Sequence, residues 1–195
     1  MEEFRSSTAF PYYLTENERV SLASALKDFS DKSNLYTSNF PAEILQGDCF
    51  DKVPYYDYVR NATDFVRVLI VSNSCDIDPS NKRDLPASVT YAPVIRLSDY
   101  EAALKRAGVS SSAMTSKVIE IKRQAITNIL FLPSGQKINE DCLVLLDRAF
   151  SIPYSAFAKS EHKTKTFSLN QLGHYLLCFK LSVHFCRLHE VVSRG

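Results

Sequence analysis

Residues 65–71, FVRVLIV, are apolar and largely β-branched apart from Arg67, and the run breaks at once into the polar segment SNSCDIDP over 72–79. A continuous run of this kind suits a strand covered on both faces, because a strand with one wet face alternates. The chain therefore needs packing layers above and below this strand. With 195 residues it has the length for them: one domain, whose core needs neither metal nor disulfide staples. The polar segment leaves the core on a turn, and a loop held by a rigid strand is a common place for functional side chains.

The rest of the pattern predicts an α+β domain. Thr15-Glu16-Asn17-Glu18 has the spacing of a capping box, so residues 1–40 read as an N-terminal helical extension packed on a main domain over 41–195. Residues 43–50 read as a short strand interrupted by Gly47, and Pro54 to Thr63 as a tyrosine-rich loop. Residues 89–97 read as a strand that Pro93 confines to an edge or a bulge. A helical insertion follows over 98–127, with Ser98 as N-cap, Gly108 as stop and Ser110–Ser112 as a flexible break. Strands are expected at 128–133, 142–147 and 151–153, the first two as a hairpin-like pair. From Leu169 to Val192 no proline interrupts a long helix, with Ser168 as candidate N-cap. Leu177, Leu181 and Phe185 form one apolar face, and Lys180, His184 and Arg187 read as its solvent stripe. The sum is a small, strongly curved sheet or an SH3-like β-barrel, with a helical insertion and a long C-terminal helix.

Charge and cysteine usage narrow the function classes. Lys+Arg is 23 against Asp+Glu 22, so the chain lacks the global basic signature of a dedicated nucleic-acid binder. The start, MEEFRSSTAF, is acidic and carries no apolar h-region, which predicts no secretory signal and a cytoplasmic protein. No apolar run approaches the roughly 20 residues that span a bilayer, so no membrane is expected as partner. The five cysteines form no CxxC pair and read as reduced thiols. The chain holds no GxxxxGK[ST], GxGxxG or HExxH motif, which leaves nucleotide hydrolysis, dinucleotide redox chemistry and zincin-type proteolysis without support. No cofactor is expected. His174 and Cys178 stand at i, i+4, but Cys186 and His189 trail down the same helix and cannot converge with them around zinc, so no metal is expected either.

Two readings remain for the segment Ser72–Asp78. In one, Cys75 is a buried structural thiol at the end of the strand, and Asp76 or Asp78 accepts the amide N–H groups of the turn. In the other, Cys75 is a nucleophile activated by one of the distant histidines, His162, His174, His184 or His189. Arg96, Lys180, His184 and Arg187, together with Asp78, are candidate binding residues for a phosphate or a partner's charged group.

Gly47-Asp48, the arginine-led strand Arg67 to Asn73 and the strand at Ala92-Pro93-Val94-Ile95 follow one another in the chain. That order resembles the MazF/PemK-like small β-barrel toxins. The segment Ser72 to Asp76, S-x-S-C-D, is also similar to an uncharacterised bacterial and phage-associated group. The resemblance spans about 43–97, with the strand at 142–147 as a further candidate. It implies a barrel and metal-independent cleavage of single-stranded RNA, in the setting of toxin–antitoxin or antiviral defence systems. On that reading Arg67 or Arg96 stabilises the developing charge, Asp76 serves as base, and Ser74 and Cys75 complete the candidate catalytic set. The chain departs from the family where its third strand ends in Ile95-Arg96-Leu97-Ser98, with no Thr-Ser pair, and in its added helices. The other expectation is therefore a non-catalytic module that binds a protein or nucleic-acid partner in a prokaryotic defence or mobile-element system, since a fold outlives its chemistry.

Overall fold

The computed structural model describes residues 34–135 and 137–185. Most of the expected N-terminal helical extension lies outside them. Its described end holds a two-residue strand, β1 (Tyr36–Thr37), in place of helix. Then come β2 (Asp48–Asp57), β3 (Ala62–Ile70), a single-turn helix α1 (Ser74–Ile77), β4 (Ser88–Arg96), α2 (Leu97–Arg106), α3 (Ser111–Lys122), β5 (Ile129–Leu132) and β6 (Cys142–Leu145). A 3₁₀ turn at Leu146–Arg148 leads into β7 (Phe150–Pro153), α4 (Tyr154–Ala158), β8 (Thr164–Leu169) and α5 (Gln171–Phe185). The class is α+β.

The sheet is antiparallel throughout and runs β1-β8-β2-β3-β4-β6-β5, with β7 paired to the first half of β4. Its ladder is open, since β1 and β5 are not paired with each other. They nevertheless come within side-chain reach: the Tyr36 hydroxyl donates to the Pro133 carbonyl just beyond β5, at 2.5 Å. The sheet therefore curves strongly without closing into a hydrogen-bonded barrel.

The run that opened the sequence reading sits at the middle of this sheet. Val68, Leu69 and Ile70 are fully buried between β2 and β4. Leu69 joins Cys49, Ala92, Val94, Leu176 and Leu177 on the face covered by α5, whereas Val68 and Ile70 join Phe50, Tyr91, Ile77 and Phe157 on the other. Two-sided burial is thus real, but only for these three residues; Phe65, nearer the hairpin, is 60% exposed. A third cluster, Leu97, Ile121, Ile129, Phe131, Leu143 and Leu145, packs α2 and α3 against β5 and β6. Each buried Leu or Phe adds about 1.5–3 kcal/mol of transfer free energy, so three linked clusters outweigh the short strands' weak local preferences.

Three prolines and glycines read differently in place. Gly47, at φ +87°, lies in the turn before β2, not inside a strand, and its N–H donates to the Ile70 carbonyl at 2.8 Å. The expected tyrosine loop is instead the outer half of β2 and the hairpin to β3. Pro54 is accommodated there because β8 accompanies β2 only over 48–51, so the proline has a single neighbouring strand. Pro93 is not at an edge: β4 is central. It falls between residues 88–91, paired to β7, and 94–96, paired to β6, where the ladder on that side is already broken.

The helices also moved. Ser110 is no flexible break; its hydroxyl caps α3 by accepting from the Ala113 N–H. Gly108, at φ +79°, ends α2 as expected, whereas Ser98 lies inside that helix and does not cap it. Ser168 is no N-cap, because it belongs to β8. The Asn170 carboxamide caps α5 by accepting from the Gly173 N–H at 3.0 Å. No helix among the described residues is long and apolar enough to cross a membrane.

Candidate functional site

The four candidate catalytic residues do not share a site. Arg67 is clamped by Asp51, with Nε 2.5 Å from Oδ1 and Nη2 3.0 Å from Oδ2. These hydrogen bonds hold its guanidinium well above even its ordinary basicity, so it is a fixed cation already spent on a carboxylate. Cys75 is exposed, not buried as the structural reading of the turn expected. The reason is α1: the chain turns so that Ile77, 1% exposed, enters the core instead. The Cys75 N–H goes to the Asn73 side chain and its carbonyl accepts from Arg83 Nη2 and Asn81 Nδ2. Asp76 is exposed beside it, its own N–H bonded to the Asn73 carbonyl. Of the two aspartates only Asp78 plays the expected turn role: it accepts from the Ser80 N–H at 2.8 Å, which holds its carboxyl below the usual range. The task given to Asp76 falls to Asn73.

The candidate binding residues are scattered as well. Arg96 is exposed and paired bidentately with Asp99 at 2.7 and 2.9 Å. Lys180 is not on a solvent stripe. It is 2% exposed, and its ammonium donates to the Gln124 and Ile126 carbonyls at 2.5 and 2.7 Å. His184 is half-buried near the end of α5, with its ring edge-on to Phe185. Arg187 lies outside the described residues. Among the described residues no three His, Cys, Asp or Glu side chains converge as metal ligands.

Of these candidates Ser74 lines a cleft. The end of β8, the turn before β2 and the first turns of α1 and α5 enclose a cleft of about 420 Å³. Its floor is a row of polar residues across three strands, because Thr37 pairs with Ser168 and Ser168 with Asp48. Asp48 is fully buried. Its Oδ2 accepts from the Leu45 N–H and from Lys165 Nζ, each at 2.7 Å. The same ammonium donates to the Phe40 and Glu43 carbonyls at 2.5 and 2.9 Å, so all three of its protons are used. Asp48 Oδ1 has no partner, and neither has Ser168 Oγ, although Ser168 is only 3% exposed. Buried polar atoms are otherwise nearly always bonded, so Asp48 and Ser168, cross-strand partners that both line the cleft, leave one carboxylate oxygen and one hydroxyl unmet by the described residues.

No protein-family model and no curated protein matches this chain.

The chemistry of the cleft must be read from its own groups. Gln46 Nε2 donates to the Val71 carbonyl at 2.7 Å, which fixes the orientation of its amide. Its Oε1 is then the atom 3.1 Å from His174 Nε2, so the imidazole carries its proton there and donates it. Burial pushes the His174 pKa down, keeping the ring neutral at pH 7. Cys178 Sγ lies 3.7 Å from both His174 Nε2 and Gln46 Oε1, so the i, i+4 pair converges on an amide. Ser74 Oγ accepts from the Gln46 N–H at 2.9 Å. His174 Nε2 therefore faces an amide oxygen, and no serine hydroxyl of the cleft is hydrogen-bonded to it as to a base. The amide and the imidazole hold each other in place.

Sequence reasoning had Asp48 in the Gly-Asp pair and His174 in a metal pair, but it did not join them. The missing piece was β8: residues 164–167 were given no element, Ser168 was taken as a helix cap and Leu169 as the start of the helix. Without it Ser168 has no reason to face Asp48.

Proposed function

We propose that this chain is a non-catalytic binding module, with the Asp48–Ser168 cleft as its recognition site and a protein as its partner. The observation that carries this reading is the pair of buried, unpartnered polar atoms on the cleft floor. A partner group that fills the cleft satisfies both and recovers the desolvation cost of about 1–3 kcal/mol for each. The MazF/PemK-like endoribonuclease reading needs an open arginine and a base. Arg67 is tied to Asp51, and Asp48, whose Lys165 counter-ion has no proton to spare, is the one formally charged residue lining the cleft. Among the described residues a polyanion finds no free cation there, which also favours a protein over RNA. The setting in a prokaryotic defence or mobile-element system, and a barrel of the SH3-like kind, rest on the resemblance of Ser72–Asp76 and of the strand order.

The test has two arms. Purified protein incubated with mixed-sequence single-stranded RNA in EDTA is expected to leave the RNA intact. A photo-crosslinker at Gln171, on the cleft rim, is expected to capture a protein that Ser168→Leu no longer captures. RNA cleavage that Arg67→Ala abolishes overturns the proposal.

A further inference from the structure

We infer that the group held in the cleft is an uncharged amide, presenting an N–H donor and a C=O acceptor side by side to Asp48 Oδ1 and Ser168 Oγ. This inference rests on the binding-module reading and deepens it. Asp48 Oδ1 can only accept, whereas the Ser168 hydroxyl can donate. The two residues are direct cross-strand partners, which sets their Cβ atoms about 4.5–5.5 Å apart on one face. That spacing places one acceptor and one donor within reach of a single small planar group.

Charge excludes the alternatives. The Asp48–Lys165 pair is balanced, and every proton of the ammonium is committed to Asp48, Phe40 or Glu43. An anionic group would meet the carboxylate with no free cation among the described residues to offset it. A cationic group would add a third buried charge a few ångströms from the Lys165 ammonium, and a buried charge without its own partner is costly. An uncharged donor–acceptor group meets neither penalty. The surroundings are of the same kind: Gln46, Asn170 and Gln171 line the walls, and Phe40, 43% exposed, stands at the mouth. The cleft of about 420 Å³ greatly exceeds the roughly 30 Å³ share of one water molecule. Primary amides come from two sources, the Asn or Gln side chain of a partner protein and a free small molecule.

The experiment is a ¹H–¹⁵N NMR titration of the full chain with four probes: propionamide, propionate, propylammonium and N-acetylglutamine N-methylamide. Saturable shifts of the Asp48, Ser168 and His174 amides are expected with the two amides and not with the ions. Ser168→Ala is expected to weaken amide binding at least tenfold. Asp48→Asn should do the same, and Ser168→Ala stands alone if that variant fails to fold. Tighter binding of the glutamine derivative than of propionamide supports a partner side chain as the source; equal or weaker binding supports a free amide. Saturable binding of propionate or propylammonium above the amides overturns the ligand class and leaves the binding module standing. No saturable shift with any probe, the orphan atoms being met by an ordered water only, also overturns the inference. The binding-module reading falls with it only if Ser168→Leu still captures the crosslinked protein.

Discussion

Gly173, in the first turn of α5, lies close to the backbone that leads into β1. A Cβ at this position would lie 2.7 Å from the Leu35 carbonyl oxygen, a backbone atom that cannot rotate away. That oxygen already accepts from the Asn170 N–H at 2.8 Å, and the next residue, Tyr36, pairs with Leu169. Intrinsic helix preference favours alanine over glycine by about 1 kcal/mol, so the two effects oppose each other. The clash wins, because relief requires β1 to leave β8. Gly173→Ala is expected to lower stability by about 1–3 kcal/mol in urea denaturation, in the range for overpacked sites; an unchanged or raised midpoint would show that the contact is slack. Arg67 is the contrasting case. Both partners of its pair with Asp51 are about one-third exposed, at 32% and 35%, so water screens the bond. Arg67→Ala is expected to cost less than about 1 kcal/mol and to leave amide binding unchanged. A variant that loses binding while remaining folded would return Arg67 to the functional site.

Element by element, what could be read from the sequence depended on length and on how each segment is covered. β3, β4 and the end of α2 were legible, because continuous apolar runs and Gly108 carry their own signal. The outer half of β2 was not, since Pro54, Tyr55, Tyr56 and Asp57 mimic a loop, and only pairing with β3 makes them a strand. β8 was hidden for the same reason: TKTFSL is short and gains its stability from β1 and β2 on either side. Lys180 was misread because helical spacing shows which residues share a face, not what covers that face. Here the turn between α3 and β5 covers it, through the Gln124 and Ile126 carbonyls. Burial brings the Lys180 pKa down to about 8, below its ordinary 10.4 or so. Since the folded state releases this proton first, the unfolded chain binds more protons between pH 8 and about 10.4, and stability rises with pH across that window. The gain is at most roughly 3 kcal/mol at 1.36 kcal/mol per unit. Tyrosines and thiols titrate nearby, so the observable is the difference between the native chain and Lys180→Met. That difference is expected to grow in favour of the native chain from pH 8 to 10; a flat difference would mean that the two carbonyl bonds hold the ammonium charged in spite of burial.

At the scale of the molecule, the central cluster binds strands from both ends of the sheet into one unit. Leu35 and Tyr36 from the β1 edge, Cys49 from β2, Cys142 from β6 and Leu176 from α5 all belong to it. The sequence foretold such a core, since it required both faces of 65–71 to be covered, but it could not say that the two ends of an open sheet would meet across it. If they do, no part of the core can open alone, and the cysteines test this. Cys49 and Cys142 are 0% and 1% exposed on strands separated by β3 and β4, and burial pushes both thiols above their ordinary pKa, which suppresses the reactive thiolate. Cys75 is exposed on α1. In a Cys178→Ser, Cys186→Ser background, a disulfide reagent at pH 8 is expected to modify Cys75 at once. Cys49 and Cys142 should then follow with one shared, slow rate. That rate should equal the global unfolding rate when the reagent outpaces reclosing. Adding mild urea should speed the two together, by the same factor. A faster, urea-insensitive rate for Cys142 alone would mean that β5 and β6 detach with the helical insertion while β2 and β3 stay folded. In that case the third cluster, under α2 and α3, would be an independent unit, and the Tyr36–Pro133 bond would be too weak to tie the ends of the sheet.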